Sequence, residues 1–371
     1  MKVYLVAGEP SGDKLGAALM AELKNFATFD LDYSGVGGPL MEDQGLASLF
    51  PIDDIAVIGI GEILAKYNFL KERINNTVDD ILRLKPDVLI TIDAPEFSLR
   101  IARMVRKKIF VNTIHYVAPT VWAWRPKRAK KMSNYIDHIL ALFPFEPPYM
   151  KREGISCDFV GHPVADEKLP DRRLVNKFRK QYKINENDTL VAFLPGSRHS
   201  EVSRLMPIFD TVSSDLTSQR SNIKIVIVAA PEVNIFLEKT LKKWASNVIL
   251  VTNDDLSNNE FQKLKRIVFA SCDIALAASG TVSLELASTK TPMVIAYDMG
   301  FLSRIVFWLF IRVNSVNLVN LISNQITIPE FIGNNCKPDK ISQALLNELD
   351  YPSTQKAAME RSLDLLKAGD V

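Results

Sequence analysis

The chain has 371 residues, more than a single hydrophobic core usually organises, so two domains are expected. Its 45 Lys and Arg residues nearly balance 43 Asp and Glu residues, which excludes a global electrostatic field directed at nucleic acid. The three cysteines are far apart and form no Cys-x-x-Cys pair, which argues against a disulfide framework or a zinc site and is typical of a reducing cytoplasm.

The first predicted strand, Lys2–Ala7, is followed by the glycine-bracketed loop 8–13 and by a helix with Leu15, Leu19 and Leu23 on one face. This arrangement places the loop at the carboxyl end of the strand, where α/β proteins bind ligands. The loop lacks a Gly-x-Gly-x-x-Gly pattern, so a nicotinamide dinucleotide site is not favoured. A plain tight turn is the alternative interpretation.

A second candidate site follows the predicted strand Asp87–Ile92, because Asp93 stands directly at its carboxyl end. A carboxylate in this position is well placed for acid–base chemistry. The alternative is that Asp93 caps the predicted helix Ser98–Lys107, for which Ser98 is the nearer cap candidate. We favour the catalytic interpretation.

Three segments combine apolar, aromatic and basic residues in an unusual way. Apolar residues dominate 52–70, two tryptophans stand beside five basic residues in 116–131, and the apolar run 301–313 is interrupted by two arginines. The last run falls short of the roughly 20 residues that span a bilayer, so we expect membrane-surface contact rather than a transmembrane helix. A core helix for 52–70 and a solvated basic face for 116–131 are the alternatives. Single-stranded nucleic acid, which would use similar residues, is the least favoured partner.

The composition becomes polar and charged at 166–173, which predicts a linker. We therefore expect domains at 1–165 and 166–345, followed by a helical segment at 346–371. The second domain repeats the alternation of strands and helices, which predicts a second Rossmann-like sheet. Its predicted strands are Thr189–Leu194, Ile223–Val228, Val248–Val251, Asp273–Ala277 and Met293–Ala296.

The most informative stretch of the second domain is the turn Pro195-Gly196-Ser197-Arg198. A continuous apolar strand precedes it, and apolar residues then recur at helical intervals from Val202 to Leu216. The turn thus opens a helix, where unpaired backbone N–H groups and the helix dipole favour a phosphate group. Arg198 can add a bidentate, charge-assisted contact. An ordinary turn with a surface arginine is the alternative.

A second small-residue turn, Ala278-Ser279-Gly280-Thr281, opens a helix that carries Glu285. Another helix N-terminus is therefore expected at the same crevice. Glu285 suits the paired hydroxyls of a ribose, and a carboxylate placed there only by the helix dipole is the equally supported alternative.

Seven motifs occur in an order and at spacings that together resemble one enzyme family. They are AGEPSGDKLGA from Ala7, IDAP from Ile92, YVAPTVWAWRPKR from Tyr116, PFE from Pro144, GHPVAD from Gly161, LPGSRHSEV from Leu194 and ASGTVSLELA from Ala278. The family that they resemble is the lipid-A-disaccharide synthases, and the resemblance covers nearly the whole chain. It implies an α/β protein of the GT-B class, with two Rossmann-like domains of mostly parallel strands that face a central cleft.

The resemblance also implies an inverting glycosyltransferase reaction. The family joins UDP-2,3-diacylglucosamine to 2,3-diacylglucosamine 1-phosphate through a β-1,6 bond and releases UDP, without a metal or other cofactor. The first domain would face the acceptor and the membrane, and the second would bind the UDP-sugar donor. The implied location is cytoplasmic, peripheral at the cytoplasmic face of the inner membrane. Nucleic acid is not an implied partner, and a homodimer is one assembly compatible with the family.

The motifs assign roles to individual residues. Asp93 would be the general base for the acceptor 6-hydroxyl, and Ser11, Gly12 and Asp13 would line the acceptor side. The donor side, from the diphosphate to the uridine ribose, would be formed by Gly196, Ser197, Arg198, Ser279, Gly280, Thr281, Glu285 and Asn320. Three residues before Asn320 a family-like element begins, in which Val319 stands where proline is usual.

Two other functions fit the same architecture. A UDP-sugar epimerase or hydrolase would act on the donor alone and would need its acid and base there. A non-catalytic module that binds lipid or nucleotide is disfavoured by the presence of Asp93, Arg198 and Glu285. Should Asp93 fail as the base, His115 and Glu96 are the next candidates.

Overall fold

The computed structural model describes residues 1–56, 63–120, 127–254, 256–299, 315–352 and 354–367. These residues belong to two compact units, Met1–His162 and Pro163–Lys367. The division falls after His162 rather than after residue 165, and residues 346–367 belong to the second unit rather than to a separate segment.

The first unit alternates strands and helices along the chain. Its strands are β1 (Lys2–Ala7), β2 (Asp32–Val36), β3 (Ala47–Ser48), β4 (Val88–Ile92), β5 (Asn112–Tyr116), β6 (His138–Ala141) and β7 (Ser156–Phe159). Its helices are α1 (Pro10–Phe26), α2 (Pro39–Asp43), α3 (Asp53–Ala56), α4 (Ile63–Leu84), α5 (Pro95–Arg106), α6 (Lys127–Met132) and α7 (Pro147–Lys151).

The second unit continues the alternation. Its strands are β8 (Thr189–Leu194), β9 (Ile223–Val228), β10 (Val248–Val251), β11 (Ile274–Ala277), β12 (Met293–Tyr297) and β13 (Glu330–Ile332). Its α-helices are α8 (Arg172–Gln181), α9 (His199–Gln219), α10 (Asn234–Leu241), α11 (Asn258–Ser271), α12 (Val282–Ser288), α13 (Leu318–Ser323), α14 (Pro338–Asp350) and α15 (Gln355–Leu366). A short 3₁₀ turn at Pro163–Asp166 opens the unit and contacts α12 and α15, which explains why the boundary lies before it.

The two sheets are parallel throughout their described strand pairs and follow the same plan. The strand order is β3-β2-β1-β4-β5-β6-β7 in the first sheet and β10-β9-β8-β11-β12-β13 in the second. In each sheet the order reverses once, between β1 and β4 and between β8 and β11. Loops that leave the two strands of such a reversal open a crevice at their carboxyl ends, where α/β proteins bind ligands. The predicted α/β class with two Rossmann-like sheets is confirmed.

The core of the second unit follows the predicted helical periodicity. The apolar stripe of α9 from Val202 to Leu216 is fully buried and packs, with Phe193 of β8, into one core cluster. In α1 the buried stripe is instead Gly12, Gly16 and Met20, and the three predicted leucines are only half-buried. A Cβ at Gly16 would lie 2.5 Å from Met41 Sδ, so glycine allows α1 to approach α2 closely.

Several element ends differ from the sequence pattern for local reasons. The helix predicted from Ser98 begins at Pro95, because proline suits the first helical position, and Ser98 lies buried inside it. Two short edge strands, β3 and β13, are absent from the predicted elements, since two or three residues are too few to show the period of a strand.

None of the described helices is both long and apolar enough to cross a bilayer. The segments 57–62, 121–126 and 300–314 lie outside the described residues. The predicted membrane contacts at 52–70 and 116–131 are therefore described only in part, and the run 301–313 lies entirely outside.

Candidate active site and nucleotide pocket

Asp93 lies at the carboxyl end of β4, at the point where the first sheet reverses its strand order. Its backbone N–H donates to Tyr116 O at 2.9 Å, which extends the β4–β5 ladder by one residue. Asp93 and Ala94 then both take left-handed backbone angles, with φ of +46° and +41°. Such angles cost non-glycine residues of the order of 1 to 3 kcal/mol each and collect at functional sites. The strained pair turns the chain abruptly from β4 into α5.

The position of Asp93 differs from that of a helix cap. The N-cap of α5 is Ala94, and no side chain caps the helix, so neither Asp93 nor the alternative candidate Ser98 is its cap. The Asp93 carboxylate instead accepts hydrogen bonds from the Ala94 backbone N–H and from the Ser11 hydroxyl. The structure thus joins Ser11 and Asp93, two residues assigned to the same site from the sequence.

The loop between β1 and α1 packs closely against this turn. A Cβ at Gly8 would lie 2.6 Å from Ala94 Cβ, and one at Gly12 would lie 3.4 Å from both Ala7 Cβ and Ile92 O. Glycine at these positions therefore allows the loop to reach the strand ends. This contact brings the start of α1, and Ser11 with it, to Asp93.

Asp13 has a structural task at the same place. Its carboxylate is almost fully buried and accepts hydrogen bonds from the backbone N–H groups of Gly38 (2.9 Å), Leu40 (3.1 Å) and Met41 (3.0 Å). These groups belong to the start of α2, whose positive dipole end favours a carboxylate. Asp13 therefore anchors α2 to α1, and its carboxylate is already bound by the protein.

Burial shifts the pKa values of Asp93 and His115 in opposite directions. The pKa of Asp93 is raised by burial, and the hydrogen bonds from Ala94 and Ser11 offset part of that effect. The pKa of His115 is lowered to about 3, first by complete burial and then by the charge of Arg128, against a hydrogen bond with Thr91. Histidine in that state is neutral and too weakly basic to accept a proton at pH 7.

Glu96, the other reserve candidate for the base, is exposed and neutralised by cations. It forms ion pairs with Arg128 at 3.0 Å and with Arg100 at 3.6 Å. Among the three candidates for the general base, Asp93 therefore combines a side chain that is only partly buried with a raised pKa.

The second sheet carries a cavity of about 500 Å³ at the corresponding reversal, between the carboxyl ends of β8 and β11. One wall comes from the turn after β8, another from the turn after β11, and the rest from the end of β9 and from α11. Seven of the eight predicted donor residues line it: Gly196, Ser197, Arg198, Ser279, Gly280, Thr281 and Glu285. The volume lies in the usual range for small-molecule sites, which is about 300 to 1,000 Å³.

The turn after β8 has the backbone geometry that the phosphate hypothesis requires. Gly196 has φ +108°, which disfavours any residue with a side chain. Arg198 is the N-cap of α9, and no side chain caps this helix. The first N–H groups of α9 thus lack a capping side chain at the wall of the cavity, a favourable setting for an anion.

Arg198 already has one partner in the cavity wall. Its guanidinium lies 3.3 Å from Glu201 Oε1, while three quarters of the Arg198 side chain is exposed. Tyr297 donates a hydrogen bond to the same glutamate, and its pKa is raised by burial and by this carboxylate. Glu201 therefore holds Arg198 at the edge of the cavity and also binds the Tyr297 hydroxyl, a role that the sequence motif does not reveal.

Glu285 lies in the cavity wall beside α11 and forms an ion pair with Lys265, with 2.5 Å between Nζ and Oε2. Lys265 is the main residue that the sequence analysis misses. A signal exists in the spacing of Phe261, Lys265 and Phe269, which places all three on one face of α11, but basic neighbours on the same helix hide it.

Asn320 is the predicted donor residue that does not line the cavity. It is buried, and its side-chain amide donates to Ile328 O (2.9 Å) and to Glu330 Oε1 (2.7 Å). Glu330 also accepts from Val316 N–H, and Ser279 of the cavity wall donates to Val316 O at 3.0 Å. Asn320 thus supports the frame behind the pocket rather than its surface.

Val319, which stands where the family usually has proline, fits a regular helix start. It is the second residue of α13, and its N–H donates to the Oδ1 atom of the N-cap Asn317 at 2.7 Å. Proline is tolerated in the first turn of a helix because the N–H there has no partner within the helix. Valine uses that N–H for capping, so the local backbone remains helical.

The chain is similar to known proteins over nearly its whole length. The family model described as lipid-A-disaccharide synthetase matches residues 3–370. The lipid-A-disaccharide synthase of Ruegeria pomeroyi is 44% identical over 369 residues, which cover 100% of this chain and 92% of that protein.

Two solved structures share the architecture. The crystal structure of UDP-GlcNAc 2-epimerase from Neisseria meningitidis bound to UDP-GlcNAc has a TM-score of 0.65 at 14% identity, covering 100% of this chain and 95% of its own. A glycosyltransferase from Rickettsia africae has a TM-score of 0.55 at 14% identity, covering 99% and 94%. At such identities the likeness shows the GT-B fold alone. The family model and the full-length relative show more: the chain belongs to the lipid-A-disaccharide synthase family of glycosyltransferases.

Proposed function

We propose that this enzyme transfers 2,3-diacylglucosamine from UDP to the 6-hydroxyl of 2,3-diacylglucosamine 1-phosphate, forming a β-1,6 bond and releasing UDP. The observation that carries the proposal is the cavity at the β8–β11 reversal. Seven residues of two separate family motifs come together there, around a volume suited to a nucleotide.

The donor would occupy this cavity. The diphosphate would meet the N-terminus of α9 and Arg198, and both stabilise negative charge. Charge on the diphosphate grows as the bond to the sugar breaks, so contacts that strengthen with that charge lower the barrier. The ribose hydroxyls would bind at Glu285.

Asp93 would act on the acceptor. An alcohol is a weak nucleophile at neutral pH, and a carboxylate that accepts its proton during attack makes it a better one. The hydroxyl oxygen would attack the anomeric carbon as the bond to the UDP oxygen breaks, in a single displacement that inverts the configuration. The raised pKa of Asp93 strengthens it as a base, while Ser11 and the Ala94 N–H keep its orientation.

The epimerase alternative shares the fold but is less well supported. Such an enzyme needs both an acid and a base that act on the donor sugar, whereas two of the three glutamates in the cavity wall, Glu201 and Glu285, are each paired with a cation. Incubation of the purified enzyme with both diacyl substrates, followed by mass spectrometry, distinguishes the transferase from the alternative functions. We expect disaccharide 1-phosphate and UDP in equal amounts. UDP without disaccharide would indicate a hydrolase, an isomerised donor an epimerase, and unchanged substrates a binding module.

We further propose peripheral association with the cytoplasmic face of the inner membrane, because both substrates carry acyl chains. In α6, Lys130 and Lys131 are exposed while Ala129 and Met132 are buried, so this helix offers cations to anionic headgroups. The enzyme should co-sediment with anionic vesicles at low salt and be released as salt rises. A Lys130→Ser/Lys131→Ser variant should bind them less tightly. Equal binding to neutral and anionic vesicles would contradict the electrostatic part of the proposal.

A further inference from the structure

Among the described residues that line the nucleotide cavity, Lys265 and Glu285 form the ion pair with the shortest distance between its charged atoms. Lys265 comes from α11 and Glu285 from α12, so the pair also connects two helices that pack together. Their side chains are 20% and 31% exposed. Partial burial weakens solvent screening, so this pair is held more firmly than a pair on an open surface.

The surroundings of Lys265 restrict its position further. Its ammonium group lies 5.6 Å from the centre of the buried Phe269 ring, within reach of a cation–π contact. Phe261, one turn earlier on α11, lines the same cavity. The lysine side chain is thus flanked by aromatic residues of its own helix and directed to the carboxylate of Glu285.

We propose that Lys265 is a positioning residue for ribose recognition. It binds Oε2 of Glu285 and fixes the carboxylate plane, so that Oε1 is available to accept a hydrogen bond from a ribose hydroxyl. Without the lysine, the Glu285 side chain regains rotamer freedom, and each nucleotide bound must order it again at an entropic cost. The inference rests on the proposed donor site and adds a residue through which that site selects ribonucleotides.

The alternative is that Lys265 binds the diphosphate directly as a second cation beside Arg198. The two roles predict different responses to the sugar. A positioning lysine affects only ligands whose ribose hydroxyl meets Glu285, whereas a phosphate-binding lysine affects every nucleoside diphosphate equally. Comparison of UDP with 2′-deoxy-UDP therefore distinguishes them.

The test is calorimetric binding of both nucleotides to the wild-type enzyme and to Lys265→Met, which keeps most of the unbranched side chain but removes the charged amino group. We expect the wild type to favour UDP by about tenfold, the effect of one charge-assisted hydrogen bond. Lys265→Met should lose most of this preference, with the affinity for 2′-deoxy-UDP changed by about twofold or less. Glu285→Gln should lose it as well, and the double variant should lose no more than either single one.

Two further variants serve as controls. Lys263→Met makes the same change on the exposed part of α11, away from the cavity, and should keep the wild-type preference. Lys265→Arg retains the charge and should restore most of the preference. If Lys265→Met does not fold, Lys265→Gln replaces it in the same comparison.

Each result decides one question. Equal weakening of both nucleotides by Lys265→Met, or an unchanged preference for UDP, overturns the positioning role. A wild-type enzyme that binds neither nucleotide contradicts the proposed donor site itself, and that outcome is separate from the role of Lys265.

Discussion

The two sheets of this enzyme reverse their strand order in the same way but build different sites at the reversal. Between β1 and β4 the protein fills the crevice with its own groups: Gly12 packs on the strand ends, Asp13 binds three backbone N–H groups, and Asp93 lies partly buried on strained backbone. Between β8 and β11 the protein leaves a cavity of about 500 Å³, and Gly196 takes a positive φ there that would strain any other residue.

The difference fits the roles that we propose for the two sites. A base for proton transfer must be placed within hydrogen-bond distance of one atom, so packing and strained backbone that fix Asp93 serve it well. A nucleotide is large and highly charged, so its site needs volume, helix N-termini and cations. One topology thus provides a rigid chemical group in the first unit and an open binding pocket in the second.

The largest expected effect is on turnover through Asp93. Asp93→Asn keeps the size of the side chain but removes its basicity, and we expect disaccharide formation to fall by roughly 10² to 10⁴. UDP binding, which we assign to the second unit, should stay within about twofold of the wild type. Steady-state assays and UDP calorimetry on the same preparation check both. Near-normal turnover would remove Asp93 from the mechanism.

The same variant should be more stable than the wild type at neutral pH. Burial raises the pKa of Asp93 in the folded state above that of the unfolded chain, about 3.9. The ionised group therefore opposes folding once the pH rises through the folded-state pKa, and the penalty is absent below the unfolded value. Thermal melts should show a higher Tm for Asp93→Asn at pH 7 and equal Tm values near pH 3. The raised pKa also affects turnover, because a protonated Asp93 cannot act as the base. Turnover should therefore fall on acidification at a pH above the one at which an ordinary aspartate is protonated. A lower Tm for the variant at both pH values would contradict this account.

A smaller effect is expected on nucleotide binding through Arg198. Its guanidinium is the only cation in the turn after β8, and loss of one charge-assisted contact corresponds to about 1.5 to 3 kcal/mol, or about ten- to a hundredfold in Kd for UDP. Arg204→Ala, on the same helix but outside the cavity lining, is the matched control. If calorimetry shows unchanged UDP affinity for Arg198→Ala, Arg198 does not bind the diphosphate.

Much of the second site can be predicted from the sequence because its signals are local. The strand Thr189–Leu194 is a continuous apolar run, and its predicted bounds agree with the structure. Gly196 and Arg198 follow immediately, and the helical periodicity after them is unambiguous. Local patterns of this kind place each residue on an element, and the parallel topology then brings the elements to one edge.

The remaining features depend on contacts between distant residues. Asp13 resembles a ligand-facing loop residue until α2, some 25 residues later, is seen to bind it. Ser98 has the chemistry of a cap, but the left-handed turn at Ala94 starts the helix earlier. Lys265 is one of several cations on α11, and only the packing of α11 on α12 selects it for Glu285. Sequence periodicity carries none of this information.

The smallest effect concerns the backbone of the open pocket, through Gly196→Ala. Alanine at φ +108° is strained, and its Cβ would lie 2.9 Å from Glu201 Oε2. The Glu201 side chain can move to avoid this contact. We expect a loss of stability of about 1 to 3 kcal/mol from the backbone and a weaker hold of Glu201 on Arg198. Gly154→Ala is the matched control, because Gly154 has φ +79° with no neighbouring atom within 4 Å. Both variants should unfold at lower denaturant concentration, but only Gly196→Ala should change UDP affinity. If Gly154→Ala changed UDP affinity equally, global destabilisation would explain the effect, and Gly196 would have no specific role in UDP binding.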